Sequence, residues 1–362
     1  MATIEDITFD PAGNLFLLVG FQEDGSHVRM LVSKKAMSLA SSKWAKMMKD
    51  NDKSDDTQFS FFPDIAMPDD DVNALVVLLN IAHLKFDDVS FHLPFNTLVN
   101  VAVLCDKYNM VHLVRHFKGH WIKIYDALYV NAHQPDPRKA AVLLVSWLLN
   151  MPFDFEPLVR EEVTEKIVSD NPAAISECLR ARLLVEGSRV NYEFDWNRMP
   201  TDIFDTIANV QSEIVEKLAD VLIKARFLLV DGGGCEIAKA MAEDDLRSRS
   251  MMSKVCRTRQ GEGFMVFCKQ LKSAGIYARF KDGEASIHFD CSLSGILDAF
   301  IEARHIIETL DGHEDCNVGI MLNDESRWIM NGVGEMVRNA QEKHFQERNR
   351  EAEAVAEEVL DS

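Results

Sequence analysis

Two stretches, Asn14-Leu-Phe-Leu-Leu-Val-Gly20 and His27-Val-Arg-Met-Leu-Val32, decide the fold class of this 362-residue chain. The first is a run of β-formers. The second alternates, with Val28, Met30 and Val32 on one side, which is the period-two signature of a half-buried strand. Between them lies Glu23-Asp-Gly-Ser26, where glycine accepts the positive φ of a tight turn. A β-hairpin is the expectation. Helices follow at once: Ser33 is placed to cap a helix over 34–40, and a second short helix over 42–49 would bury Trp44, Met47 and Met48. A chain that opens with strands and turns helical belongs to the α+β class.

Further along, 49–58 carries no apolar residue and is expected to be a surface loop. Residues 61–67 read as a short strand, which Pro63 confines to an edge or an end. Pro68-Asp-Asp-Asp71 suits a helix first turn, where the orphan amides and the dipole favour acids. Val72, Leu75, Val76, Leu79 and His83 then fall on one helical face. Residues 95–108 read as a buried helix. In 110–122, Leu113, Phe117 and Trp121 recur every four residues, so a helix is expected there too.

Residues 124–230 read as helical throughout, with Pro135 and Pro137 marking a joint. Helices are expected at 138–150, 157–168, 172–186 and 200–229. In the last, Ile207, Val210, Ile214, Leu218, Val221, Ala225 and Leu228 form an apolar stripe. Gly232-Gly-Gly234 marks a boundary. Beyond it come a helix over 262–274, a hairpin of 276–280 with 285–289 around Lys281-Asp-Gly-Glu284, a helix over 293–310, and a final helix from Glu325. Its core-facing candidates are Trp328, Val333, Met336, Val337 and Ala340. The domains expected are 5–122, 123–230 and 231–362, the third a small α+β module.

The order hairpin, two short helices, acidic loop, strand and three helices resembles a BTB/POZ domain, and in tone the fungal members of that family. Leu39-Ala-Ser-Ser-Lys-Trp44 resembles the family's opening helix motif. Ile65-Ala-Met-Pro-Asp-Asp-Asp-Val72 resembles its strand-to-helix segment, and Val103-Leu-Cys-Asp-Lys-Tyr108 its long buried helix. The resemblance covers residues 5–122. It implies a protein–protein interaction module without catalysis, acting as a homodimer or with another BTB protein. In some members it also implies an adaptor that docks a cullin ubiquitin-ligase scaffold. The residues suit association in their own right. An exposed Phe16, Phe21, Phe61 or Phe62 would offer an apolar patch to a second copy, the commonest symmetric solution. The alternative at each position is a Phe that fills the core.

Composition narrows the partners. Lys+Arg number 39 and Asp+Glu 58, for a net charge of −19. Phosphate-rich partners are repelled, so neither nucleic acid nor an anionic membrane is expected. The most apolar window, 140–149, is too short to span a bilayer and reads as a core helix. The N-terminus lacks a secretory signal, and an odd count of seven cysteines fits a reducing compartment, so an intracellular location, cytoplasm or nucleus, is expected.

Candidate chemistry lies near the C-terminus. Cys235, Cys256, His313 and Cys316 supply the soft donors that tetrahedral zinc takes, although no Cys-x-x-Cys pair is present. The resemblance to fungal BTB tails, with an early Cys and a late His-x-x-Cys, points the same way. The competing expectation is no cofactor at all, with Cys105, Cys178 and Cys268 as core thiols. Gly232-Gly-Gly-Cys235 reads as a helix stop rather than a phosphate loop. His112, His116 and His120 fall on one face if 110–122 is helical. Asp154, Glu156, Glu161 and Glu162 read as a solvated acidic face.

Overall fold

The computed structural model describes residues 4–21, 26–54, 64–123, 138–165, 200–227, 246–281, 284–289, 291–307 and 317–361. The fold is mixed α and β and mostly helical. The described residues gather into two compact units. One holds those up to Phe155 and those from Gln341 on. The other holds 156–165 and 200–340.

The first unit is built on β1 (Ile4–Thr8), β2 (Leu15–Val19), β3 (His27–Val32), α1 (Lys34–Ala40), α2 (Ser42–Ser54), β4 (Asp64–Met67), α3 (Val72–Ala82), α4 (Phe95–Lys107), α5 (Lys118–Lys123) and α6 (Arg138–Leu148). The sheet order is β1-β3-β2-β4. The β2–β3 pair is the expected hairpin, antiparallel with Leu17 opposite Met30, while β1 on β3 and β4 on β2 are parallel. Alternation does the rest: Leu15, Leu17, Val19, Met30, Val32, Ile65 and Met67 are all buried on one face. Each such side chain contributes about 1.5–3 kcal/mol of transfer free energy.

Two helix starts follow from their caps. The Ser33 hydroxyl accepts from the Ala36 amide, and the Asp71 carboxylate from the Ala74 amide at 2.8 Å. Trp44 and Met48 of α2 are buried, whereas Met47 is only partly so. The helix α2 runs on to Ser54, through residues expected to be loop. A helix satisfies its own backbone, so a polar continuation needs no burial. The strand expected over 61–67 is seen from Asp64, and Phe61 and Phe62 lie outside the described residues.

The strand β1 was not anticipated, since Ile4-Glu-Asp-Ile-Thr8 lacks an apolar face. It is held by its ladder to β3 and by Arg29, whose Nε and Nη2 both donate to Asp6 at 2.8 Å. The helix expected over 110–122 is a correction. Residues 111–117 run in turns, and only Lys118–Lys123 is helical. Val114, Phe117 and Trp121 are buried all the same, so four-residue spacing found the inward side chains but not the backbone. The window 141–149 is buried at every position but none breaks the core's polarity rule, since the Ser146 hydroxyl donates to Val142 O at 2.6 Å. No helix among the described residues is long and apolar enough to cross a membrane.

Later elements are α7 (Pro152–Glu165), α8 (Thr201–Phe227), α9 (Leu246–Ser273), β5 (Ile276–Lys281), β6 (Glu284–Phe289), α10 (Leu293–Ile306) and α11 (Val318–Asp361). The helix expected over 157–168 begins at Pro152 instead. The helix expected over 172–186 lies outside the described residues. In α8, Ile207, Val210, Ile214, Leu218, Val221 and Ala225 are buried as the stripe predicts. The β5–β6 hairpin is antiparallel, Tyr277 opposite His288. Phe264, Phe267, Leu271, Ile276, Ile296 and Phe300 form the core beside it. Both α9 and α11 start earlier than expected, at Leu246 and Val318.

Candidate interaction surface

The three sequence segments quoted for the resemblance meet at one residue, Tyr108. Its hydroxyl donates to Asp70 Oδ2 at 2.5 Å, and Asp70 is 3 % exposed. Lys107 Nζ donates to the other carboxylate oxygen, so Asp70 is balanced by charge. From the opposite side the Ser41 hydroxyl donates to Tyr108 O at 2.6 Å and accepts from the Trp44 amide at 3.0 Å. The Trp44 and Tyr108 rings lie 5.4 Å apart. Burial, seconded by the Asp70 hydrogen bond, pushes the Tyr108 phenol well above its ordinary pKa. The opening helix pair, the strand-to-helix segment and the long helix are thus locked to one another by a buried hydrogen-bond network.

That lock positions a groove on the outside of the same unit. Phe9, Ala36, Leu39, Ile81, Leu84 and Leu113 line it, and its volume is about 600 Å³. His83 joins its two walls. The Ser33 amide donates to Nε2 at 3.0 Å, and Nδ1 faces Leu79 O at 2.8 Å. With the Ser33 N–H as donor, Nε2 must be the unprotonated nitrogen, so Nδ1 carries the proton and the imidazole is neutral. Burial holds its pKa below the ordinary histidine value. The N-terminus of α1 is therefore pinned to the end of α3 by a ring rather than by backbone.

Two large apolar side chains stand out of the rim: Leu39 and Leu84 are each 73 % exposed. Leu84 also has φ of 60°, in the left-handed region, where a side chain with a Cβ pays a penalty that glycine avoids. Beyond it, Phe86 and Phe91 are half-exposed and lean on Phe117, at 6.2 and 5.9 Å between rings.

The expected interface residues fall as follows. Phe16 is half-buried with the Arg29 guanidinium over its ring at 4.6 Å, and Phe21 is exposed and stacks on His27 at 5.0 Å. Leu39, Leu84, Phe86 and Phe91 were not singled out from sequence. Leu84 could have been, since it breaks the polar character expected just after a helix end.

Of the candidate zinc ligands, Cys235, His313 and Cys316 lie outside the described residues, as does the side chain of Cys256. Among the described residues no group of three or more His, Cys, Asp or Glu is gathered to hold a metal ion. His112, His116 and His120 are exposed and do not share a helical face, since only His120 is in a helix. Cys105 is fully buried, and burial raises its thiol; Cys268 is pushed up to about 11 by the same cause. Glu156 is a correction to the solvated acidic face. It is paired with Arg160 and Arg338.

No family model, curated protein or solved structure matches this chain.

Proposed function

We propose that the first unit is a BTB/POZ-type module that works by association, with a second copy or another BTB protein, and without bond chemistry. Leu84 carries the reading. It is an apolar side chain held in solvent, in a backbone conformation that favours glycine, at the rim of an apolar groove. Both features cost free energy in an isolated chain; a partner that covers the rim removes the first, and that gain can offset the second. The buried Ser41–Asp70–Tyr108 network supports the family likeness, because it gives each motif segment a structural task.

Sedimentation velocity of the full chain at micromolar concentration tests the proposal. The chain is expected to associate, and Leu84→Gly to abolish association while keeping or raising thermal stability, by about 1 kcal/mol from relief of the left-handed backbone. Unchanged association in Leu84→Gly refutes the role of the rim. A second reading, a cullin ubiquitin-ligase adaptor, rests on the same resemblance, and co-purification with a cullin is its test.

A further inference from the structure

A second furrow lies within the other unit, between α8 and α11. Its volume is about 570 Å³, with Val221 and Ile329 below and Trp328 at the side. The two helices run antiparallel here: Lys224 pairs with Glu325, and Lys217 Nζ reaches Met336 Sδ at 3.9 Å. Trp328 was expected to face the core. It is instead 75 % exposed. Ile223 and Phe227 of α8 and Ile320 of α11 are exposed as well.

The charges around the furrow are unequal. Both lysines are neutralised, Lys224 by Glu325 and Lys217 by Glu213 at 2.7 Å. Asp220 and Asp324 form no ion pair among the described residues, although Lys217 and Lys224 line the same furrow. Asp324 stands four residues before Trp328, one helical turn away and on the same face. An aromatic face beside an unpaired carboxylate suits a Lys or Arg side chain, with its stem along the indole and its head on the carboxylate.

We propose that this furrow docks a basic, amphipathic segment of a partner protein. Its apolar residues cover Val221, Ile329 and Trp328, and its Lys or Arg side chains pair with Asp220 and Asp324. A second copy of this chain is repelled at long range, because each copy carries a net charge of −19, although its segment 246–259 is locally basic. A phosphate-bearing partner is repelled for the same reason.

The test uses the full chain and a fluorescent, helix-forming peptide of leucine and lysine, with a leucine and glutamate peptide of the same pattern beside it. Anisotropy is expected to show binding of the lysine peptide only, weakening as salt is raised. Trp328→Ala and the double variant Asp220→Asn/Asp324→Asn are each expected to weaken it about tenfold or more. All three side chains are exposed, so the fold is expected to melt as before. Asp298→Asn/Glu347→Gln, which removes exposed acids elsewhere, is expected to leave binding unchanged. The proposal is overturned if the glutamate peptide binds as well, if Trp328→Ala has no effect, or if the distant acid variant weakens binding as much as the furrow variant. It is also overturned if Trp328→Ala turns a dimer into a monomer, for then a second copy is the occupant.

Discussion

Removing one oxygen from Tyr108 is the sharpest probe of the network that locks the first unit. In Tyr108→Phe the ring keeps its place 5.4 Å from Trp44, but the Asp70 carboxylate loses its buried donor. A hydrogen bond to a charged group contributes about 1.5–3 kcal/mol, and Asp70 is too buried at 3 % exposure for water to replace the phenol. Lys107 still neutralises the charge, so the loss should stop near ~2–3 kcal/mol rather than reach the cost of an orphaned ion. Urea denaturation followed by tryptophan fluorescence, which reports on buried Trp44, Trp121 and Trp147, should show the first unit's transition shift with little change in slope. Asp70→Asn should cost a similar amount, and the double variant less than the sum by about 1–2 kcal/mol. Alkali gives an independent check. The folded Tyr108 pKa is raised, so its stabilisation is complete below the unfolded value of about 10 and is lost as pH climbs beyond it. The wild-type curve should therefore fall more steeply than that of Tyr108→Phe above about pH 10. A loss under ~0.5 kcal/mol, or strict additivity with Asp70→Asn, would refute the reasoning.

Three further outcomes follow from the same structure. Gly13→Ala should destabilise the first unit by about 1–3 kcal/mol in thermal melts, since a Cβ there would stand 2.8 Å from both Asp10 O and Val32 O, main-chain atoms that cannot step aside. His83 has a lowered folded pKa, so its contribution is complete above the unfolded value of about 6.5 and declines as pH falls through the folded one. His83→Gln should flatten the stability profile in that window. Phe300→Ala empties a fully buried site that packs edge-on to Phe267 at 6.1 Å, and should cost about 3–5 kcal/mol by denaturant titration.

Local signals were legible in the sequence wherever a single side chain or a short period settled the backbone. The Ser33 cap, the β2–β3 hairpin and the α8 stripe all belong to this kind, whereas Asp71, expected inside a first turn, is the cap before it. What was not legible depends on distant partners. β1 is a strand because β3 accepts it and Arg29 clasps Asp6, and neither fact is local. Residues 111–117 mimic a helix because turns can also place Val114 and Phe117 inward. Trp328 reads as a core residue of the last helix, but it stands at the side of the furrow with α8 and stays 75 % exposed. The groove at His83 was invisible for the same reason, since Ser33 and His83 are fifty residues apart in the chain and only the packing of α1 on α3 brings them together.

The Tyr108 lock also sets an order of events during synthesis. Ser41 waits for a carbonyl 67 positions later, and Asp70 for a hydroxyl 38 positions later. Until the end of α4 has left the ribosome, the emerging sheet and its first helices lack this closure, and the entropy of gathering so long a loop falls due in one step. A nascent chain halted before Tyr108 should thus be open to proteases, and one halted soon after α5 resistant, with the change abrupt rather than gradual.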